Sequence, residues 1–321
     1  MIQISCSIVL FNNPVNELRK TIESFLHCQK NIKLYLVDNS KEDSLRYVFN
    51  SPQIEYIFSG KNLGYGGGHN VAIQNAKNRS RYHLVLNPDI EFSPGVLEEL
   101  YAFMQLNQDV GLVMPKVLYP NGKIQYLCKK FPSPADLFFR RFIPNAYKKS
   151  ICGKKLDLYE LRDKDYDSIM EVPNLSGCFM FMRSDVFNKV GTFDERFFLY
   201  LEDTDMCRRI NQQYRTIYYP LVSIVHQYGK GSYKNFKLFV HHLISALKYF
   251  NKWGWFRDSY RSKINEIITK GRIGGCDVTL PSMEPALQSE YDLQILSREF
   301  LTDTQDKISL EQKTEDAVAV A

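Results

Sequence analysis

The sequence lacks any C-x-x-C pair among its seven cysteines, at positions 6, 28, 128, 152, 178, 207 and 276, so a zinc ribbon or a thioredoxin-like redox motif is excluded. Scattered and odd in number, they read as reduced thiols of a cytosolic protein. No uncharged apolar run reaches the roughly 18 residues that span a bilayer. The opening Met1-Ile-Gln-Ile-Ser-Cys-Ser-Ile-Val-Leu-Phe11 has no basic stretch of the kind that starts a signal peptide. The expectation is a cytoplasmic chain that meets a membrane, if at all, peripherally on its inner face. No Walker loop is present, since Gly229-Lys-Gly-Ser232 lacks the upstream glycine spacing. Nor is there a dinucleotide fingerprint: Gly64 to Gly68 does not follow the first strand, and His69 stands where the third glycine belongs. No internal repeat is visible.

With 321 residues, 44% hydrophobic and 24% charged, the chain is long enough to bury a full core, which excludes a disordered or fibrous protein. Its 21 Phe and 20 Tyr suit cores, sugar stacking or membrane interfaces. The net charge of +5 hides an asymmetry. From Lys230 to Arg272 there are 10 Lys/Arg against 2 Asp/Glu (+8), and from Ile273 to Ala321 there are 3 against 10 (−7). A basic segment rich in aromatics fits an anionic lipid surface or a pyrophosphate-bearing acceptor better than nucleic acid.

The first half alternates strand and helix signals, the pattern of a parallel sheet wrapped by helices. Strands are expected over Ile2–Phe11, Leu34–Asp38, Ile54–Phe58, His83–Asn87 and Gly111–Pro115. Asn13 is placed to cap a helix with Pro14 at its first position, with Val15, Leu18, Ile22, Phe25 and Leu26 on one face. Asn62–Asn70 reads as a flexible loop leading into a short helix toward Ala76, Ser93-Pro94 as a helix start and Pro120-Asn-Gly122 as a tight turn. Residues 128–170, with ten Lys/Arg and no clean period, read as an inserted region on the acceptor side. A strand near Cys178–Arg183 precedes a helix capped by Ser184 and stopped at Gly191. A helix from Glu202 to Gln213 and a strand over Thr216–Tyr219 follow. Phe236, Phe239, Val240, Leu243, Leu247 and Phe250 then form an apolar stripe ahead of Trp253 and Trp255. The expected division is a catalytic domain over 1–231, in halves 1–115 and 116–231, then a basic amphipathic helical segment over 232–272 and an acidic, weakly ordered tail over 273–321.

In open α/β sheets, ligands bind beyond the carboxyl ends of the strands. There the sequence places Asn12, Asp38 and Asn87-Pro88-Asp89. Asp38 suits a hydrogen bond from a pyrimidine N–H or ribose hydroxyl, and equally a turn in Asp38-Asn39-Ser40. Asp89 would set a carboxylate at the sheet edge, able to hold a hard cation on two phosphates, or it closes a plain β-turn. His226, after the apolar run Leu221–Val225, could complete a metal site with Asp89 or be structural. The glycines from Gly64 to Gly68 let backbone approach a nucleotide closely. Glu202, Asp203 and Asp205 crowd one helix start, where the dipole favours acids, behind a wholly aromatic and apolar approach.

Taken in order, Val37-Asp38-Asn39-Ser40, Asn62-Leu-Gly-Tyr-Gly-Gly-Gly-His-Asn70, Leu86-Asn87-Pro88-Asp89, Ser176-Gly177-Cys178, Gly191-Thr-Phe-Asp194-Glu, Phe197-Phe-Leu-Tyr-Leu-Glu202-Asp203-Thr-Asp205 and His226 resemble the family 2 glycosyltransferases, particularly rhamnosyltransferase-like bacterial members. Tyr249-Phe-Asn-Lys-Trp-Gly-Trp255 resembles the helix end of those relatives. The resemblance implies a GT-A α/β fold, a mixed and mostly parallel sheet flanked by helices, here with a C-terminal helical extension. It implies an inverting transfer of a sugar, with rhamnose from dTDP-rhamnose favoured, to a lipid-linked or polysaccharide acceptor of cell-surface glycan. Asp203 would be the general base, supported by Glu202. Asn12, Asp38, Asn62, Gly64, Gly66, Asn87 and Asp89 would border the donor, and Asp89 and His226 would hold Mg²⁺ or Mn²⁺. The usual Asp-x-Asp is here Asn87-Pro88-Asp89, which offers one charged ligand. The rival readings are a non-catalytic nucleotide-sugar-binding scaffold and a nucleotidyltransferase. The latter is disfavoured because Leu10-Phe-Asn-Asn-Pro14 carries no basic, glycine-rich signature. A homodimer through the helical segment is a further expectation.

Overall fold

A computed structural model describes residues 1–142, 153–227, 236–270 and 277–281. The chain divides into one compact unit, Met1–Leu280, and a second, Pro281–Ala321, so the basic helical segment belongs to the same unit as the sheet. Most of the acidic tail and part of the 128–170 insertion lie outside the described residues. Within the insertion, Pro134–Phe142 forms a helix, and residues 153–159 are also helical.

One nine-stranded sheet organises the unit, in the order β3-β2-β1-β4-β8-β6-β9-β5, with β7 pairing β9 as well. The strands are β1 (Ile2–Leu10), β2 (Ile32–Asp38), β3 (Ile54–Phe58), β4 (Ser80–Leu86), β5 (Ile90–Glu91), β6 (Val110–Leu118), β7 (Met170–Glu171), β8 (Phe179–Arg183) and β9 (Arg215–His226). β3, β2, β1 and β4 run parallel, β8 enters antiparallel between β4 and β6, and β9 runs parallel to β6. β1, β2, β4, β6 and β8, inside the sheet, are buried along most of their length, which explains why they read as apolar runs rather than as alternation, whereas the edge strand β3 has no fully buried residue. The helices are α1 (Val15–Leu26), α2 (Gly64–Ala76), α3 (Val96–Leu106), α4 (Pro134–Phe142), α5 (Val186–Val190), α6 (Glu202–Asn211), α7 (Phe236–Trp253) and α8 (Ser259–Thr269).

Several local expectations are corrected. Asn13 does not cap α1: its Oδ1 accepts from Phe11 N at 2.8 Å, and Pro14 takes the cap position with no side-chain bond. α3 starts at Val96, two residues past Pro94, after Gly95 in a left-handed conformation (φ 93). Ser184 does not cap α5, since its hydroxyl pairs with Ser80 at 3.2 Å. The glycines expected in a flexible loop lie inside α2. The stop at Gly191 (φ 79) and the turn at Gly122 (φ 74) are as read.

The apolar stripe of α7 points mostly away from the body. Phe250 is buried, but Phe236 is 77%, Leu243 44% and Leu247 45% exposed. The inward face is instead Ser245, Tyr249 and Phe250, of which the two aromatics join Leu137, Phe197 and Leu201 in a second small core, with Trp253 and Trp255 packed against it.

Candidate active site

The sheet topology brings distant motifs to one edge. Because β8 is antiparallel to β4 and starts opposite its end (Leu86 to Phe179), Ser176-Gly177-Cys178 arrives beside Asn87, whose N–H donates to Cys178 O at 2.9 Å. β5 pairs with the end of β9 with Ile90 opposite His226, which sets Asp89 beside that imidazole. His226 Nε2 lies 3.4 Å from Asp89 Oδ1. Oδ1 is buried and accepts no hydrogen bond, so one bare carboxylate oxygen and one imidazole face each other as a cation site would require. Among the described residues no third His, Cys, Asp or Glu joins them. The pair fits a divalent ion whose remaining ligands come from a diphosphate and water, as Mg²⁺ and Mn²⁺ commonly bind.

The three acids of α6 are sorted by their surroundings. Asp205 is fully buried and consumed by structure: it pairs with Arg209 at 2.9 Å and Lys252 at 2.7 Å, and accepts from Trp253 Nε1 at 2.7 Å. Glu202 is buried, and its Oε2 has no partner. Burial, with the charge of Asp203 second, pushes its carboxyl from 4.5 up to about 8, so at neutral pH it holds a proton. Asp203 alone reaches solvent. Its Oδ2 accepts from Gly177 N at 2.9 Å and its Oδ1 from Thr204 N at 2.7 Å, which fix the carboxylate at the mouth of the site. A side chain at Gly177 would press on it, with a Cβ only 3.0 Å from the Cβ of Asp203.

The approach to α6 is strained. Tyr200 (φ 71) and Leu201 (φ 65) are consecutive left-handed residues with side chains, each costing on the order of 1–2 kcal/mol. α7 holds them: Ser245 Oγ donates to Leu199 O at 2.8 Å, His241 stacks on Phe198 (centroids 4.7 Å), and His242 lies against Tyr200 (5.3 Å).

On the nucleotide side, the glycines approach the protein itself rather than open space. A Cβ at Gly64 would collide with Phe198 O, one at Gly66 would meet Phe193 at 2.9 Å, and one at Gly68 would meet Val9 at 2.7 Å. Gly64 and Gly66 are buried, packed against Phe198 and Phe193. Asp38 is also fully buried. Ser40 N donates to its Oδ1 at 2.8 Å and the Tyr56 hydroxyl to its Oδ2 at 2.7 Å, so the turn reading describes its geometry. Asn12 is exposed and left-handed (φ 55), with its N–H on Ser40 Oγ at 2.8 Å. Exposed Asn62 accepts from Gly64 N at 2.9 Å and so opens α2.

Three residues escaped the sequence reading. The Tyr65 hydroxyl donates to Gly177 O at 2.6 Å and lies 3.2 Å from Asn87 Oδ1, linking the two sides of the site. Burial, then the charges of Glu202, Cys178, Asp203 and Asp89, raise its pKa, so it stays a donor. Asn70 clamps Phe193 through its main-chain N–H (2.9 Å) and carbonyl (2.8 Å), setting the segment that leads to α6. Both stand inside the glycine motif, where only the glycines drew notice. Gln125, hydrogen-bonded to His226 (Oε1 to Nδ1, 3.0 Å), carried no sequence signal at all.

Comparison with known proteins agrees with this arrangement. Residues 5–191, more than half of the chain, match Glycosyl transferase family 2. The chain is 30% identical over 181 residues to the low-salt glycan biosynthesis hexosyltransferase Agl10 of Haloferax volcanii, a match over 56% of this chain and 53% of Agl10. It thus spans about half the length of that relative. It is 24% identical over 270 residues to the N-acetylglucosaminyl-diphospho-decaprenol L-rhamnosyltransferase of Mycobacterium tuberculosis, covering 78% of this chain and 85% of the other. Its fold is similar to GalNAc-T7 solved with UDP, GalNAc and Mn²⁺ (TM-score 0.54, 14% identity, 71% of this chain and 43% of that one). The sheet, its flanking helices, the ordered motifs and the family match lead to one assignment: the chain belongs to glycosyl transferase family 2, as a rhamnosyltransferase-like member with a GT-A fold.

Proposed function

We propose that this protein is an inverting glycosyltransferase that moves a sugar, with rhamnose from dTDP-rhamnose favoured, from a nucleoside-diphosphate donor to a lipid-linked or polysaccharide acceptor of a cell-surface glycan such as O-antigen or capsule. The observation that carries the reading is the pairing of one solvent-reaching, doubly anchored carboxylate, Asp203, with the facing Asp89 carboxylate and His226 imidazole across Tyr65. Family membership supports the reaction class. The similarity to Agl10 and the mycobacterial relative, a hexosyltransferase and an L-rhamnosyltransferase acting on a diphospho-decaprenol carrier, supports the sugar and acceptor class.

Asp203 accepts the proton of the acceptor hydroxyl as that oxygen attacks the anomeric carbon, which speeds such a step by about 10²–10⁴-fold. Glu202, neutral in its dry pocket, adds no second negative charge against Asp203 and leaves it as the acceptor. A single displacement inverts the anomeric centre and needs no nucleophilic side chain. Asp89 and His226 would hold Mg²⁺ or Mn²⁺, which neutralises charge growing on the departing diphosphate. Asn87, held between Cys178 O and the Tyr65 hydroxyl, keeps the Asp89 turn in place. The basic, outward face of α7 contacts an anionic membrane surface on the cytoplasmic side, where a lipid-linked acceptor would be met.

The test is transfer from a panel of nucleotide-sugars that includes dTDP-rhamnose, each with Mg²⁺, Mn²⁺ or excess chelator. The expected result is metal-dependent transfer with inversion from one donor. Donor binding without transfer or hydrolysis, with every acceptor offered, would leave a scaffold instead, and full activity in chelator would remove the metal.

A further inference from the structure

The end of β6 is followed by a tight turn, with Tyr119 N donating to Lys123 O at 2.8 Å, and Ile124 then bridges Leu118 in antiparallel fashion. This return lays Gln125 against the last residue of β9. Its side chain is buried, at 3% exposure, and its main-chain N–H donates to Val117 O at 2.8 Å. The carboxamide cannot turn over. Its Nε2 faces two carbonyl oxygens, His226 O at 2.8 Å and Leu118 O at 3.2 Å, and in the reverse orientation Oε1 would meet both of those acceptors. Oε1 therefore faces His226 Nδ1 at 3.0 Å.

An amide oxygen only accepts, so the proton of this contact sits on Nδ1. A neutral imidazole with hydrogen on Nδ1 carries a lone pair and no hydrogen on Nε2. That atom points toward Asp89 Oδ1 across 3.4 Å, longer than the roughly 2.7–2.9 Å of a charge-assisted N–H···O bond. Asp89 Oδ1 accepts no hydrogen bond. In this tautomer of the neutral ring two electron-pair donors face one another, an arrangement that a divalent cation relieves.

We propose that Gln125 is a positioning residue of the metal site, locking His226 as the Nδ1–H tautomer so that Nε2 and Asp89 Oδ1 form a two-ligand seat for the cation. The inference rests on the metal reading above and extends it to a residue that touches neither donor nor acceptor. Partners of this kind typically change metal affinity by about 10–100-fold when removed.

Two measurements on the full chain separate the claims. The first is the tautomer of His226 in metal-free protein, read from its ring ¹⁵N shifts by NMR and assigned with His226→Gln. Wild type should show Nδ1–H. Gln125→Leu should move the proton toward Nε2, the form free imidazole prefers, and Gln125→Glu, which keeps an acceptor opposite Nδ1, should retain it. The second is Mn²⁺ affinity by electron paramagnetic resonance with dTDP or UDP present, which should fall about 10–100-fold in Gln125→Leu and less in Gln125→Glu. Wild-type protein that takes up Mn²⁺ with His226 in the Nε2–H form overturns the role of Gln125 alone. Equal Mn²⁺ affinity in wild type and in folded Gln125→Leu overturns it too. An Nδ1–H tautomer without any Mn²⁺ uptake overturns the metal reading on which the proposal stands. Should Gln125→Leu fail to fold, Gln125→Glu and the wild-type tautomer carry the decision.

Discussion

Asp203 and Glu202 are neighbours in the chain with opposite surroundings, and each gives a distinct expectation. Replacing Asp203 with Asn keeps acceptor oxygen for one backbone N–H and removes the basicity, so kcat should fall on the order of 10²-fold or more while donor affinity stays close to wild type. Steady-state kinetics beside calorimetric donor binding checks this, and wild-type turnover in the variant would move the base elsewhere. Glu202 shows itself in stability. Its carboxyl, raised from 4.5 to about 8, keeps a proton in the folded chain that the unfolded chain releases. Over that window the folded state binds more protons, so its stability declines as pH rises from about 4.5 toward 8, at up to about 1.4 kcal/mol per pH unit. Below the window the contribution is fully present. Glu202→Gln lacks the proton and the slope. Urea denaturation at pH 5, 6.5 and 8 should therefore show the variant gaining on wild type as pH rises, and parallel curves would place Glu202 in a wetter setting than its burial indicates.

α6 is joined to the C-terminal helices by residues on successive turns. Asp205 meets Lys252 and Trp253 of α7, and Arg208 makes a two-pronged pair with Asp258 at 2.6 and 2.7 Å, under the Trp253 ring at 4.4 Å. Both partners of that pair are buried. Arg208→Met leaves a dry carboxylate to the longer 3.8 Å pair with Arg261 and should cost about 3–5 kcal/mol. Asp258 also caps α8 by accepting from Arg261 N at 2.9 Å, so Arg208→Met with Asp258→Asn removes the stranded charge yet keeps a capping oxygen. Much of the loss should return in the double variant, measured by the same denaturation. No recovery would mean that the packing of Arg208 between Trp253 and Phe131, rather than its charge, holds α6. This junction also marks what the sequence could and could not tell. The four parallel strands and α1 follow from local apolar period, and their bounds fall within a few residues of the expected ones. The α2 glycines misled because a glycine cluster signals close approach without saying to what, and Phe193, Phe198 and Val9 are distant in the chain. Asp89, Asp203 and His226 could be suspected singly from strand ends and a helix start. Their meeting depends on β8 entering antiparallel and β5 pairing with β9, non-local pairings that no period records. Gln125 depends on the same pairing and had no local mark.

At the scale of the whole molecule, no helix among the described residues is long and apolar enough to cross a membrane. The two tryptophans, expected to anchor there, turn to other work: Trp253 donates to Asp205 and covers Arg208, and Trp255 donates to Asn251 at 2.8 Å and lies 5.2 Å from Phe250. What α7 offers outward is Phe236, Leu243, Ile244 and Leu247, with Phe256 (85% exposed) just beyond its end. The segment containing this face carries an excess of positive charge, +8 between Lys230 and Arg272. Apolar side chains that enter the headgroup layer beside cations that meet anionic lipid describe an interfacial helix. The protein should co-sediment with phosphatidylglycerol-containing vesicles, and less so as salt is raised, because the lysine and arginine contribution is screened within about 10 Å at 0.1 M. Leu243→Gln with Leu247→Gln should reduce binding without loss of fold, since nearly half of each residue already faces water. Trp253→Ala would be a poor probe, as it also opens the α6 junction. Equal recovery on neutral and anionic vesicles would remove the electrostatic part. No recovery on either, with a doubled mass in sedimentation equilibrium that Leu243→Gln and Leu247→Gln abolish, would give the same face to a second copy of the chain.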